Sequence, residues 1–418
     1  MDEHRVADVE LTVLGADGSP SADTDVVVAQ VDHAFRFGCT GFQAIELAAG
    51  ELDGDAERRT GTERLLGHWL ELFNTTTLPF YWGRFEPSRG HPDTERLRAA
   101  ARWFADRGVL VKGHPLCWHT VSPPWLTELP IAEIRDLQLA RIRRDVGDFA
   151  GLIDTWDVIN EAVIMPVFTA ERNGITRLAQ EVGRLEMVRM TFEAARATNP
   201  GATFLINDFD LSADYERLIE ECLDAGVTID AIGIQSHMHQ GYRGVDWTEG
   251  ILERYARFGL PLHWTENTLV SGELMPAHIV DLNDWQVESW PTTPDGEARQ
   301  AQELEIHYRT LVGHPSVASI TWWDIQDGGW LNAPTGLIRA DGSLKPSFEA
   351  LRRLVKGEWW LPRTTLRTDG AGRVRFSGWL GTYEVASTGE MSARLIVDQP
   401  GAMALVAQPS PESRDPAP

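Results

Sequence analysis

The feature that most limits the fold is a count of alternations. From residue 35 onward, short β-like runs alternate with longer amphipathic stretches, and the runs number eight. They are 35–42 (FRFGCTGF), 73–80 (FNTTTLPF), 110–118 (LVKGHPLCW), 155–162 (TWDVINEA), 203–209 (TFLINDF), 231–238 (AIGIQSHM), 260–267 (LPLHWTEN) and 319–325 (SITWWDI). Between them, segments such as 94–108, 183–200 and 214–226 repeat apolar residues at helical spacing and end in the Gly or Pro that stops a helix. Eight successive βα units predict an α/β chain folded as a (β/α)8 TIM barrel. A doubly wound open sheet would show fewer strands and a Gly-rich phosphate turn, and the chain has neither a GxGxxG after a strand nor a Walker loop.

Both ends lie outside that alternation. Residues 5–32 and 364–398 show period-two patterning with turn signals at ADGS and DGAG, so each reads as β-strands, and the two segments are expected to form one small β-module. The expected divisions are N-terminal strands in 1–34, the catalytic barrel in 35–358, C-terminal strands in 359–406 and a disordered Pro-rich tail in 407–418. With 418 residues, 43% of them apolar, the chain can bury a sizeable core. A formal charge of −24 argues against nucleic acid or an anionic membrane as partner, since both require a basic footprint. The N-terminus MDEHRVADVE lacks the basic and apolar regions of a signal peptide, so the sequence as written reads as cytoplasmic, or as secreted if it is a trimmed form. Cys39, Cys117 and Cys222 have no metal-type spacing and read as free buried thiols.

In a barrel of this kind the C-terminal strand ends form the active-site face. The third run brings Lys112, His114, Trp118 and His119 there; the fourth brings Asn160 and Glu161, and the fifth Asn207 and Asp208. Gln235, His237 and His239 follow the sixth, Thr265 and Glu266 the seventh, and Trp322, Trp323 and Asp324 the eighth. Each alone is compatible with a satisfied core group, but together they describe one polar face. Among them Glu161 and Glu266, at the ends of the fourth and seventh runs, are carboxylates across the barrel mouth from each other. Glycosidic bond cleavage uses such a pair, one to protonate the leaving oxygen and one to attack or stabilise the oxocarbenium-like centre. Sixteen tryptophans fit a cleft that stacks on sugar faces.

Several motifs in this order resemble the glycoside hydrolase family 10 β-1,4-xylanases. KGHPLCWH (112–119), WDVINEA (156–162), GIQSHMH (233–239), TEN (265–267) and TWWDIQDGGW (321–330) are each similar to a motif of that family. The resemblance implies a retaining xylan hydrolase without cofactor or metal, with Glu161 as general acid/base and Glu266 as nucleophile. It implies Asn160 at the sugar 2-hydroxyl, Gln235 and His237 around the nucleophile, and Trp323 as stacking floor. Lys112, His114, Trp118, His119 and Trp330 would line the sugar site. The chain departs from the family at the second run, where Glu, Asn and Lys usually precede the Trp and Glu-Pro. Here Thr77, Leu78, Pro79, Phe80 and Tyr81 precede Trp82. Three polar sugar contacts are missing, and Phe80, Tyr81 or Trp82 is expected either to stack on a different glycone or an apolar group or to serve as barrel packing. Leu-Asp after the nucleophile is likewise replaced by Asn267 and Thr268.

Three other readings stay open: a β-glycosidase for another glycan or for a bulky aglycone, a metal-dependent hydrolase using His237 and His239, and a non-catalytic sugar-binding barrel. The metal reading is disfavoured because the first run supplies no ligands. Oligomeric state and endo or exo action are not fixed by the sequence.

Overall fold

A computed structural model describes residues 3–15, 17–387 and 392–407. The expectation of a disordered tail falls on residues outside these, apart from Ala407, which ends a strand. Eight parallel strands form one closed barrel in sequential order. They are β1 (Arg36–Thr40), β2 (Thr75–Pro79), β3 (Leu110–His114), β4 (Thr155–Asn160), β5 (Thr203–Asp208), β6 (Ala231–Met238), β7 (Leu262–Leu269) and β8 (Val317–Trp322). Helices cover the barrel, so the strands are buried on both faces and read as near-continuous apolar runs. In β4, for instance, all residues after Thr155 are buried.

The helices between strands start and stop where local chemistry directs. Thr94–Ala105 buries Leu97, Ala100, Ala101 and Phe104, one stripe at i, i+3, i+4 and i+7. Asn173 caps the helix Gly174–Val182 by accepting the Thr176 N–H at 2.7 Å. The expected single helix over 183–200 is Arg184–Thr198, set off from its predecessor by Gly183 at φ 81°. That left-handed backbone is one only glycine adopts freely. Among the described residues, no helix is long and apolar enough to cross a membrane.

Contacts divide the chain into two compact units, residues 37–348 and residues 1–36 with 349–418. In the second unit Val6–Val13 lies between Arg373–Trp379 and Gly401–Ala407, while Asp25–His33 lies between Thr364–Arg367 and Gly381–Ser387. The inward residues of both sheets, among them Val9, Leu11, Val26, Val28, Tyr383 and Val397, share one apolar core. The β-module therefore draws its strands from both ends of the chain.

Three of the barrel's irregularities lie toward its mouth. Register shifts occur between β4 and β5 at Asp157/Ile159, between β6 and β7 at Ile234/Gln235, and between β8 and β7 at Ile320/Trp322. A bulge inserts one residue and reverses the in-out alternation beyond it, re-aiming the side chains that follow.

Candidate active site

On β7 the shift opposite Gln235 lets consecutive residues face the same way. Thr265 Oγ1 donates to Asn207 Oδ1, and Asn207 Nδ2 in turn donates to Glu266 Oε1 at 2.9 Å. On β4 the chain leaves the pleat at Glu161 itself, whose φ is 56°. Left-handed backbone is uncommon for a non-glycine residue and clusters at functional sites. The Glu161 N–H is held by Asn207 O at 2.8 Å, and its carboxyl swings back beside Asn160, whose Nδ2 lies 3.2 Å from Glu161 Oε1. Asn160 Oδ1 accepts from Asn207 Nδ2 at 2.7 Å and from Gln235 Nε2 at 3.0 Å. A relay of side-chain amides thus runs from one carboxyl to the other through Asn207 and Asn160.

The two carboxyls sit in opposite electrostatic settings. Burial drives the pKa of Glu161 up to about 8; Trp118 Nε1, donating to Oε2 at 2.8 Å, opposes the rise, and the charges of Asp208 and Glu266 add to it. His119 Nε2 lies 3.8 Å from the same oxygen, but burial lowers the His119 pKa to about 3, so a neutral ring offers no counter-charge. Glu266 is also pushed up by burial, yet His114 and His237 outweigh that and hold it below the usual carboxylate range. His237 Nε2 donates to Glu266 Oε2 at 3.0 Å, and His114 Nε2 lies 3.9 Å from Oε1. Thr268 Oγ1, standing where the family pattern has Asp, lies 3.4 Å from His237 Nδ1.

Beneath this layer, Asp157 on β4 is fully buried and accepts from both Lys112 Nζ and His114 Nδ1, each at 2.7 Å. Its own burial is overcome by those two partners, leaving its pKa lowered to about 2. Asp208 is buried as well; that burial raises its pKa to about 7 although it accepts N–H bonds from Val163 and Asp210.

Aromatic rings wall the site. Trp323 meets the edges of His114 and His237 at 5.4 and 5.8 Å, and Trp330 lies 4.6 Å from His237. Leu331 and Asn332, at φ 60° and 54°, turn the chain sharply just after Trp330. Tyr81 packs against His114 at 5.8 Å and Trp118 at 5.6 Å.

Most of the residues singled out from sequence therefore converge on the two carboxyls, with one qualification. Trp82 does not reach them: it is 4% exposed, its Nε1 donates to Glu86, and the Arg141 guanidinium lies 5.0 Å above its ring. Gln235 lies opposite Glu266 in the β6–β7 ladder, as expected, and its Nε2 reaches across to Asn160 Oδ1. Asp157 is the residue sequence reasoning passed over. The available signal was a charged side chain inside WDVIN, which a buried parallel strand tolerates only when it is paired. Asn207 was visible as a strand-end polar group, but its bridging of both carboxyls was not. Among the described residues, no three His, Cys, Asp or Glu side chains converge as metal ligands.

Comparison with known proteins adds independent observations. Residues 75–353 match the family model described as Glycosyl hydrolase family 10. Endo-1,4-beta-xylanase 3 of Hypocrea jecorina is 26% identical over 273 residues, covering 63% of this chain and 69% of that protein. The anti-sigma-I factor RsgI6 of Acetivibrio thermocellus is 25% identical over 400 residues; the match takes in 93% of this chain but only 46% of that protein's length. Among solved structures, a GH10 protein from Paenibacillus barcinonensis superposes with a TM-score of 0.64 at 21% identity, covering 78% of this chain and 96% of that one. The last likeness concerns the fold.

Proposed function

Because the chain belongs to glycosyl hydrolase family 10, we propose that it is a retaining glycoside hydrolase that cleaves β-xylosidic bonds, of the kind joining the sugars of xylan and xylo-oligosaccharides. The observation that carries the reading is the contrast between two carboxyls facing one barrel mouth. Glu161 keeps its proton up to about pH 8, while Glu266 is ionised across the neutral range.

That contrast suits double displacement. Glu266 attacks the anomeric carbon, and the Glu161 proton passes to the departing oxygen. Once Glu266 is esterified, its charge no longer opposes ionisation of Glu161, which then takes a proton from the incoming water. Asn207 and His237 fix the attacking carboxylate with one hydrogen bond to each oxygen. Asn160, anchored by Asn207 and Gln235, is placed to contact the sugar beside the anomeric centre. Trp323 supplies an apolar face at the same depth, and Lys112 with His114 completes the floor through Asp157. The xylan named by the relatives supports the choice of sugar.

The test uses three measurements on β-xylosides. Glu266→Ala is expected to abolish turnover. Glu161→Ala is expected to lose roughly 10²- to 10⁴-fold on substrates with poor leaving groups, and azide should restore it on aryl xylosides as the β-xylosyl azide. Product anomers followed by NMR should form with retention; net inversion, or an unchanged rate in either variant, would sink the assignment.

A further inference from the structure

The acid and the nucleophile divide the mouth into two sides. The aglycone departs on the side of Glu161, and sugars beyond the cleaved residue on its glycone side extend away from that carboxyl, past Glu266. The two sides differ in both shape and polarity.

On the glycone side the rings close up. Phe42 meets the edge of Trp323 at 6.1 Å and of Tyr81 at 6.3 Å; Tyr81 in turn meets His114 at 5.8 Å, and Trp323 meets His114 at 5.4 Å. These contacts form a closed circuit running from the end of β8, past β1 and β2, to β3. Tyr81 is the member contributed by the altered second run, and Arg84, 5.7 Å from its ring centroid, backs it from the same segment. Tyr81 thus stands in the wall built with Phe42, Trp323 and His114, where burial, with the charge of Glu266 adding to it, raises its hydroxyl far above the ordinary phenol range.

On the other side the surface is open and apolar. The seven residues after Glu161 read AVIMPVF, without a charged or hydroxyl side chain; Ala162, Val163 and Met165 are buried, and the later ones reach the surface. Their Val167 is 61% exposed, and the Phe168 ring packs tilted 4.3 Å from the His119 ring, itself beside Glu161. Val163, in the same loop, is tied to Asp208 at 3.1 Å, and the next residue of that strand end, Phe209, is 47% exposed. Exposed apolar groups on two neighbouring strand ends form a lip for a hydrocarbon or aromatic surface, whereas a chain of sugars would call for hydroxyl partners.

We infer that Tyr81 ends the glycone side after a single sugar, and that the site takes β-glycosides in which one sugar carries an apolar aglycone lying across Val167, Phe168 and Phe209. This rests on the β-xylosidase chemistry proposed above and narrows it from xylan chains to single-sugar glycosides.

Two matched pairs of substrates test it on the full chain. 4-Nitrophenyl β-xyloside and 4-nitrophenyl β-xylobioside share a leaving group and differ only in glycone length; the xyloside is expected to have the equal or higher kcat/KM. Methyl and octyl β-xyloside differ chiefly in the apolar tail, and the octyl compound is expected to exceed the methyl one tenfold or more. Tyr81→Ala should raise the xylobioside-to-xyloside ratio at least tenfold. A tenfold wild-type preference for the xylobioside, or equal rates on methyl and octyl xyloside, overturns the inference while leaving the glycosidase reading standing. Absence of turnover on all four compounds and on xylan overturns that reading as well.

Discussion

Glu161 and Glu266 are the same side chain with opposite protonation, and the difference lies in what each touches. Glu161 has one strong donor, Trp118, and two nearby carboxyls; Glu266 has a histidine at 3.0 Å, a second at 3.9 Å and an amide. Since the reaction needs the first protonated and the second ionised, kcat/KM should fall on the alkaline side near pH 8, with the acid limb below the ordinary Glu range. A pH–rate profile on an aryl xyloside checks both limbs. Trp118 stabilises the charged form of Glu161, so Trp118→Phe removes that support and should move the alkaline limb upward; a downward shift would refute the role given to the indole. Asp157 gives a stability counterpart. Its pKa in the fold, about 2, is depressed from the ordinary value of about 3.9, so the stability it contributes is present above the ordinary value and is lost as pH falls through 2. Asp157→Ala strands the buried Lys112 ammonium and should cost about 3–5 kcal/mol, read as a lowered urea midpoint at unchanged slope.

At the scale of elements, β4 and β7 carry the chemistry because both are irregular. A regular strand alternates, so Thr265 and Glu266 could not both reach Asn207, nor Asn160 and Glu161 both face one sugar. The sequence showed which residues stand at the strand ends, because motifs and the eight-fold alternation are written in residue types. It did not show the register shifts, which depend on how neighbouring strands pair, nor that the third run ends at His114 and leaves Trp118 and His119 in a loop. Nor did it separate Tyr81, which faces the carboxyls, from Phe80, which turns away into aromatic packing, or from Trp82, which turns away to Glu86 and Arg141. Adjacent aromatic residues look alike until the turn after β2 assigns each a side. Gly233 on β6 makes the point testable. A Cβ there would lie 2.3 Å from Asn207 Oδ1, so Gly233→Ala must displace the amide that joins the two carboxyls. The expected result is a fall in kcat of tenfold or more, out of proportion to a stability loss of about 1–3 kcal/mol; full activity would show that the Asn207 bridge is dispensable.

Across the whole chain, the ends depend on each other more than on their own neighbours in sequence. The period-two patterns at 5–32 and 364–398 announced strands, and the apolar alternation of Val6–Val13 and Asp25–His33 announced one buried face. The pairing order was not legible, since alternation says which face is buried and nothing about which strand lies alongside. The structure pairs each N-terminal strand on both edges with C-terminal segments: Val6–Val13 with Arg373–Trp379 and Gly401–Ala407, and Asp25–His33 with Thr364–Arg367 and Gly381–Ser387. Ending the chain after Glu358 would therefore leave two strands of 8 and 9 residues with all four edges unpaired and their apolar faces uncovered. Unprotected edges of that length template intermolecular pairing. The chain truncated after Glu358 is expected to form large aggregates in size-exclusion chromatography with light scattering, whereas removing residues 1–35 as well should take away the aggregating strands and recover soluble material. A truncated chain that stays monodisperse with both N-terminal strands in place would show that those strands do not need their C-terminal partners.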